Sequence, residues 1–473
     1  MHANAPNIVL IHTDQQRGDA LSLAGHPVLQ TPNLDHLLAS GAWFRRAYSE
    51  CPICIPARHT LMTGMSPHDT GVVGFAMKAR IARERQTLPA LLRDAGYQTV
   101  LVGRDMHQYP SRKSYGFEMR EDRPDLDTYS KYRDLLLPLG GHQGWPHLLA
   151  HGLGPNSVHA SPWPYDEAFH QTNFAVNKSI EFLHRRDPER PFFLATGFVA
   201  PHPPLTPPRH YYDRYLGMDL PEPTIGDWAT EPENHGLGLP DGHGKQVVAG
   251  EKGRQTIAAY FGLINHVDDQ LNLLLTALRN LNEPTYILFV SDHGEMLGDH
   301  YFWRKALPYE GSAHIPFALT GPGIDAGTQR DEVVGLQDVL PTCCDLAGVD
   351  IPDHVTGRSV LPLTRGGDPD WRDWLHGEHA PMDDQHPGMH YATDGRTKYV
   401  WFNDGSEQFF DMTSDPTETT NRIADPDHAE TIDRYRVRLV ERLANRPEGF
   451  SDGQQLLPNR PWDHHNSIAL VDD

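Results

Sequence analysis

Residues 54–64 bring together residue types that support nucleophilic chemistry. Cys54 is followed two positions later by Pro56 and four positions later by Arg58. A thiol reacts as its thiolate, and a nearby arginine supplies a permanent positive charge, while proline makes the backbone rigid. The apolar residues that follow, with Gly64 at the end, predict a short helix that holds this segment. On these residues alone, Cys54 is either the precursor of a nucleophile or a buried structural cysteine.

A second group of residues has the chemistry of a metal site. Asp14 and Gln15 follow one apolar run, and Asp292 and His293 follow another. Carboxylates and an amide oxygen are hard ligands suited to Ca²⁺, Mg²⁺ or Mn²⁺, and the single imidazole is compatible with manganese. The sequence lacks the closely spaced histidines that indicate structural zinc here. The alternative is that each aspartate only caps the helix that follows it.

The elements that must position these residues alternate between strand and helix. Four apolar runs end in polar residues, and they span 7–12, 99–102, 192–196 and 286–290. This alternation predicts an α/β fold whose large, mixed, mostly parallel sheet is flanked by helices. Ligands bind beyond the carboxyl ends of strands in such sheets. We therefore expect the four strand ends to form the floor of one active site.

The rest of the chain divides into helices, long loops and a different carboxyl-terminal pattern. Helical spacing or glycine endings predict helices over 31–41, 86–96 and 256–281, and Gly, Pro, Trp and His dominate two predicted loops at 138–165 and 217–253. After residue 370 we predict short strands at 374–378, 391–393, 398–402 and 408–410, then a helix near 429–445. The expected organisation is a catalytic domain over 1–370 and a smaller α+β domain with an antiparallel sheet over 371–473.

Composition narrows the classes of partner. The 473 residues carry a formal charge of −22, which disfavours nucleic acid and anionic membranes but allows a small anionic ester in a locally basic pocket. No apolar run has the length of a membrane span, and no secretory signal is evident at the amino terminus. The four cysteines do not form the pattern of a disulfide framework. We expect a cytoplasmic protein, and the sequence leaves open whether it forms a homo-oligomer.

The pattern from Cys54 through Pro56 and Arg58 to Gly64 resembles the signature of the formylglycine-dependent sulfatases, a branch of the alkaline phosphatase superfamily. The register fits Cys54 and not Cys51, because residue 53 is isoleucine where the signature has proline. The resemblance implies an alkaline phosphatase-like fold. It also implies that a formylglycine-generating enzyme oxidises Cys54 to an aldehyde, and that the hydrate of this aldehyde is the nucleophile.

The resemblance extends to the metal site and to other site residues. It implies one divalent metal, with calcium the first choice and magnesium or manganese as alternatives, held by Asp14, Gln15, Asp292, His293 and residue 54. It implies further roles for five residues: Arg58 holds residue 54, Lys305 and Arg104 bind the transferred group, His202 serves the leaving group, and His107 acts as a base.

Two positions depart from the common sulfatase pattern. Most sulfatases have aspartate where this chain has Gln15, and the glutamine resembles choline sulfatases and phosphonate monoester hydrolases. The usual glycine-lysine-x-histidine segment is replaced by residues 103–107, so either Arg104 or Asp105 takes the place of the lysine. Arginine and lysine differ in geometry and hydration, which affects the choice of substrate.

The predicted function is hydrolysis of a small sulfate monoester to an alcohol and inorganic sulfate. A phosphonate monoester or phosphodiester hydrolase on the same scaffold is the first alternative, and a non-catalytic binding protein is the second. Further histidine-rich stretches are predicted to be solvated loops. They contain His376, His379, His386 and His390, and Asp463, His464 and His465.

Overall fold

The computed structural model describes residues 5–123, 131–136, 153–154, 156–233, 244–248, 250–382 and 387–463. The strands are β1 (Asn7–Asp14), β2 (Ala42–Phe44), β3 (Ala47–Tyr48), β4 (Gln98–Arg104), β5 (Met119–Arg123), β6 (Phe192–Pro201), β7 (Gly244–Lys245), β8 (Thr285–Ser291), β9 (Phe302–Trp303), β10 (Phe317–Thr320), β11 (Thr328–Arg330), β12 (Val334–Gly335), β13 (Leu375–His379), β14 (Met389–Thr393), β15 (Thr397–Phe402) and β16 (Glu407–Asp411). The helices are α1 (Pro32–Ala39), α2 (Cys54–Thr63), α3 (Pro67–Thr70), α4 (Leu88–Asp94), α5 (Lys131–Leu136), α6 (Gln171–Arg185), α7 (Arg209–Leu216), α8 (Gly250–Asn280), α9 (Glu310–Ala313), α10 (Val339–Ala347) and α11 (Ala429–Leu443).

The predicted mixed, mostly parallel sheet is confirmed. Eight strands pair in the order β11-β2-β10-β8-β1-β6-β4-β5. Strand β1 is parallel to both of its neighbours, β6 and β8, and β10 is antiparallel to β8 and β2. Every residue of β1 and β6 is buried. Burial on both faces explains why these strands are continuous apolar runs in the sequence.

Helices cover both faces of the sheet. Because side chains alternate along a strand, Val9 and Ile11 of β1 pack in one core cluster, whereas Ile8 and Leu10 pack in the other. The first cluster contains residues of α1, α6 and α8, and the second contains residues of α2, α4 and α10. This layering is the α/β architecture expected from the sequence.

Helix α2 has the short length that the sequence predicts. It begins at Cys54 and ends before Gly64, whose φ of 65° lies in the left-handed region that favours glycine. All of its residues are buried. Cys54 is therefore the first residue of a helix held rigidly in the core, and not part of a loop.

The long helix α8 begins earlier than predicted. It spans Gly250–Asn280, so the interpretation of 217–253 as a loop is wrong for its last four residues. The apolar face of α8 is buried from Thr256 onward, and the more polar first turn, which has little apolar pattern, is helical as well. Most of the predicted loop 138–165 lies outside the described residues.

The carboxyl-terminal antiparallel sheet is also confirmed. Its four strands pair in the order β13-β14-β15-β16, each antiparallel to the next. Helix α11 packs on this sheet through Ile432, Tyr435 and Leu439. The domain boundary between residues 370 and 371 stays a prediction. Within the described part of the chain, no helix is both long and apolar enough to cross a membrane.

Candidate active site

The ends of four parallel strands and one helix meet at a single place. Thr13 of β1 pairs with Ser291 of β8, which brings the next residues, Asp14 and Asp292, close together. Strand β4 ends at Arg104, and His202 follows the end of β6. Helix α2 contributes its first residue, Cys54. Strands β8, β1, β6 and β4 are adjacent and parallel, so their carboxyl ends lie at the same edge of the sheet, as the sequence predicts.

Arg58 joins the two buried aspartates. Its Nη2 donates to Asp14 Oδ2 at 2.7 Å and to Asp292 Oδ2 at 2.8 Å, and its Nε donates to Asp292 Oδ2 at 3.1 Å. All three side chains are buried. Two buried carboxylates need such a partner, because desolvation of an unpaired charge is costly. Arg58 engages the Oδ2 atom of each aspartate, and the Oδ1 atom of each lies near His293 Nε2.

Cys54 lies among groups that favour its ionised form. Its Sγ is 3.3 Å from His293 Nε2 and 3.4 Å from Lys305 Nζ. Burial and Asp14 raise the pKa of this thiol, but Lys305, His293 and a hydrogen bond with His107 hold the pKa well below its usual value. Burial instead raises the pKa of the Cys51 thiol well above its usual value. The surroundings of Cys54 therefore favour the thiolate, whereas those of Cys51 favour the neutral thiol.

Four ligand atoms surround a space suited to a cation. One atom from each of Asp14, Cys54, Asp292 and His293 lies within 4.8 Å of the others. His293 Nδ1 lies 3.0 Å from the Gly294 carbonyl oxygen, so Nε2 faces Asp14 Oδ1 at 3.6 Å and Asp292 Oδ1 at 3.5 Å. This orientation is the one a metal-binding histidine adopts.

The charge of the site also suits a cation. Burial lowers the pKa of His293, but Asp292 contributes the opposite effect and the net pKa is raised. A field that favours a proton at this imidazole favours a divalent cation as well. The two carboxylates and the single imidazole fit the hard cations predicted from the sequence.

Gln15 lies beside this space with both ends of its amide engaged. Its side-chain Oε1 accepts from Lys305 Nζ at 2.5 Å, and its Nε2 donates to a carboxylate oxygen of Glu295. Its backbone N–H donates to Asp292 Oδ1 at 3.0 Å, and its φ of 74° is left-handed. Asp292, the proposed metal ligand that follows β8, thus stabilises the backbone turn at Gln15.

Arg104 and His107 lie on the other side of Asp14. Arg104 Nε donates to Asp14 Oδ2 at 2.8 Å, so the guanidinium group both holds Asp14 and brings a positive charge to the site. Asp105 accepts from the His107 backbone N–H at 3.2 Å, and its Oδ1 lies 3.7 Å from His107 Nε2. The backbone carbonyl of Asp105 accepts from Arg58 at 2.9 Å. Asp105 therefore contacts site residues and does not point away from them.

His202 completes the site. Its Nδ1 lies 2.6 Å from the Pro203 carbonyl oxygen, which leaves Nε2 as the ring atom available to Cys54, whose proximity acts to raise the pKa of His202. Burial lowers the pKa of His202, and Lys305 lowers it further. All ten predicted site residues thus lie in one connected set of contacts.

Sequence reasoning missed the parts played by Asp105 and Glu295. Asp105 is adjacent to Arg104, and Glu295 is three residues after Asp292, so both lie in segments that were already singled out. Their partners, His107 and Gln15, become visible only when the strand ends are brought together. The signal in the sequence is that Asp105 lies two residues before the predicted base His107, and Glu295 lies two residues after the predicted ligand His293.

The histidine-rich stretch near residue 380 is not solvated as predicted. His376 and His379 are in β13 and His390 is in β14, and His379 and His390 are buried. Strands β13 and β14 pair in one antiparallel sheet, and His376 Nε2 lies 3.1 Å from His390 Nδ1, a contact that the spacing alone did not reveal. His386, His464 and His465 lie outside the described residues, and Asp463 is exposed.

Two residues of β13, His376 and Glu378, form a second group of potential metal ligands together with His68. Arg446 already supplies a cation there, because its Nη1 lies 3.0 Å from Glu378 Oε2 and 3.4 Å from His68 Nδ1. Burial lowers the pKa of His68 to about 3, and Arg442 and Arg446 act in the same direction. The local field therefore opposes a metal ion at this place.

Comparisons with known proteins identify the family of this chain. A family model described as sulfatase matches residues 6–349, and one described as N-sulphoglucosamine sulphohydrolase, C-terminal, matches residues 298–445. An arylsulfatase of Clostridium perfringens is 40% identical over 96% of this chain and 98% of its own length. A choline-sulfatase of Rhizobium meliloti is 31% identical over 90% of this chain and 84% of its own length.

A solved structure has the same architecture. The phosphonate monoester hydrolase of Agrobacterium radiobacter superposes with a TM-score of 0.78 at 28% identity, covering 93% of this chain and 95% of that one.

Proposed function

Because this chain belongs to the sulfatase family and hydrolyses sulfuric esters, we propose that its nucleophile is the hydrate of a formylglycine made from Cys54. The contacts of Cys54 carry this proposal. Its Sγ, which marks the place of the hydrate oxygens, is within 3.4 Å of both His293 Nε2 and Lys305 Nζ. A formylglycine-generating enzyme would convert the thiol to the aldehyde before the protein is active.

The metal site belongs to the same proposal. Asp14, Gln15, Asp292, His293 and residue 54 would hold one divalent cation, and the oxygen-rich set favours calcium over the alternatives, magnesium and manganese. When bound, this cation supplies Lewis acidity that lowers the pKa of a hydroxyl group. Arg58 keeps the two aspartates in place, because it donates to the Oδ2 atom of each one.

Substrate cleavage follows from the residues around position 54. A hydrate oxygen that has lost its proton would attack sulfur, and the bond between sulfur and the alcohol oxygen would break. Lys305 and Arg104 stabilise the negative charge on the transferred group, and either His202 or Lys305 gives the leaving alcohol its proton. Burial and Lys305 lower the pKa of His202, whereas the charge of a bound anionic ester acts in the opposite direction.

Release of sulfate requires a base. The second hydroxyl of the hydrate loses its proton to His107 as the bond between carbon and the sulfate oxygen breaks, which restores the aldehyde. The carboxylate of Asp105 contacts both the backbone N–H and the ring of His107 and would hold this imidazole in position. A water molecule then regenerates the hydrate.

A phosphonate monoester hydrolase is the second candidate. Gln15 and the likeness to the phosphonate monoester hydrolase of Agrobacterium radiobacter support it, but the 40% identical arylsulfatase favours the sulfatase. The assembled site gives no support to a non-catalytic binding protein. The experiment is to compare kcat/KM for an aryl sulfate and for a phenyl phosphonate ester with the same leaving group. We expect the sulfate to be the better substrate, and a higher kcat/KM for the phosphonate would favour the second candidate.

A further inference from the structure

Glu295 is a buried carboxylate with three defined donors. Its Oε1 accepts the backbone N–H of Leu297 at 3.0 Å and also the backbone N–H of Arg304. Its Oε2 accepts from Gln15 Nε2. The Glu295 residue is 4% exposed and Gln15 is fully buried, so water does not compete strongly for these contacts.

These contacts determine which way the Gln15 amide faces. One end of the amide meets Glu295, which as a carboxylate offers only acceptors, and the other end meets Lys305, which offers only donors. Only one orientation satisfies both neighbours: nitrogen toward Glu295 and oxygen toward Lys305. In the opposite orientation, the amide oxygen of Gln15 would face the carboxylate of Glu295, and the amide nitrogen of Gln15 would face the ammonium group of Lys305.

We propose that Glu295 is a positioning residue that holds the Gln15 amide with its oxygen toward Lys305 and the cation site. The inference rests on the proposed function, because it assigns Gln15 Oε1 to the cation that the sulfatase reaction would use. The hydrogen bond that Gln15 Nε2 donates to Glu295 also makes Gln15 Oε1 a better metal ligand. Outer partners of metal ligands commonly have this effect.

The same contacts explain why an amide is suited to position 15. A carboxylate placed there would meet the carboxylate of Glu295 in a buried site, and like charges at this distance repel strongly. The amide of residue 15 and the carboxylate of residue 295 therefore form one unit. Exchanging the two groups should preserve that unit, whereas changing either one alone should break it.

Glu295→Gln is the sharpest single test. Its Oε1 is held by two backbone N–H donors, so the new amide nitrogen must replace Oε2 and face Gln15. Gln15 then has to turn its oxygen toward residue 295 and its nitrogen toward Lys305 and the cation. We expect the Kd for Ca²⁺ to rise by about 10- to 100-fold, the usual effect of losing an outer partner.

The exchange is tested with Gln15→Glu and with the double variant. Gln15→Glu alone places two carboxylates together and should also weaken Ca²⁺ binding. In Gln15→Glu with Glu295→Gln, the amide at 295 donates to the carboxylate at 15, whose second oxygen faces Lys305. We expect the double variant to bind Ca²⁺ at least about tenfold more tightly than Glu295→Gln. Such a recovery would show that residues 15 and 295 are energetically coupled.

Glu50→Gln is the matched control. Glu50 is also buried and accepts two backbone N–H groups, from Leu336 at 3.1 Å and Gln337 at 3.0 Å, but it contacts no predicted ligand. Calorimetric titration of the full-length protein with CaCl₂ gives each Kd, and the rise in Tm on adding CaCl₂ is a second readout. The control should keep the wild-type Kd.

The outcomes separate this inference from the proposed function. If wild type binds none of Ca²⁺, Mg²⁺ and Mn²⁺, the metal part of the proposed function fails and this inference fails with it. If wild type binds Ca²⁺ and Glu295→Gln keeps the wild-type Kd, only this inference is overturned. A double variant that binds no better than the weaker single variant would also overturn it.

Discussion

The Nζ atom of Lys305 lies 3.4 Å from the Sγ atom of Cys54, although 251 positions separate the two residues in the chain. The same ammonium group donates to the amide oxygen of Gln15 at 2.5 Å. One cation therefore contacts both the proposed nucleophile and a proposed metal ligand. In the proposed reaction, this ammonium group would stabilise the negative charge that develops when a sulfate ester is attacked.

The metal ligands can be tested by charge removal. Asp292→Asn keeps the shape of the side chain but removes the charge that attracts a divalent cation, and Arg58 loses part of its compensation. We expect the Kd for Ca²⁺ to rise by more than about 100-fold, beyond the effect of an outer partner. Exhaustive chelation should abolish turnover. Full turnover in a sample whose metal content is measured as zero would contradict the metal assignment, and Asp331→Asn at the surface is the control.

Arg104 should matter more for turnover than for metal binding. Arg104→Ala removes the charge near the transferred group and the donor to Asp14, and we expect kcat/KM to fall by about 10²- to 10³-fold. Arg104→Lys should recover part of this loss, because the charge returns but the planar fork does not.

The comparison uses a sulfate ester and a matched phosphonate monoester. Near wild-type rates for Arg104→Ala on both substrates would show that this residue is structural. Asp105→Ala should also lower kcat, since the carboxylate contacts His107.

Lys398 joins the carboxyl-terminal sheet to the segment that follows Lys305. Its Nζ donates to the Pro308 carbonyl at 2.9 Å and to Glu310 and Glu418 at 2.7 Å each. Lys398→Met leaves two carboxylates without this partner, and we expect about 3–5 kcal/mol of lost stability because the site is buried.

Urea unfolding measures the loss for Lys398→Met. Arg436→Met, which breaks a partly exposed pair with Glu407, should cost less than about 1 kcal/mol. Equal losses in the two variants would show that burial does not strengthen the Lys398 contacts.

Stability should decrease with rising pH because of Glu50. Burial raises its pKa from 4.5 to about 7, so the folded state binds a proton that the unfolded state releases. The stabilising contribution is complete below pH 4.5 and is lost as the pH rises through about 7.

Glu50→Gln cannot release that proton, and its Tm should fall less than that of wild type between pH 5 and pH 8. Both proteins are compared in a chelator, so that metal binding does not contribute. An equal fall in Tm for the two proteins would contradict this account of Glu50.

The sequence predicted the main architecture where local pattern and burial agree. Strand β1 is a continuous apolar run because both of its faces are covered, and the polar residues after β1 and β8, Asp14 and Asp292, lie together as expected. Edge strands such as β11, with no fully buried residue, have no comparable pattern and were not predicted. The roles of Asp105 and Glu295 depend on partners in other segments. No local pattern encodes those contacts, and the buried histidines of β13 and β14 were missed for the same reason.

The most direct test of the account is the state of residue 54. In cells that contain the formylglycine-generating enzyme, the peptide carrying Cys54 should be lighter by about 18 Da than its unmodified form, because the thiol has become an aldehyde. The protein so modified should hydrolyse an aryl sulfate, Cys54→Ala should be folded but inactive, and Cys51→Ala should retain most activity. An unmodified Cys54 in fully active protein, or loss of activity in Cys51→Ala with Cys54→Ala active, would contradict the account.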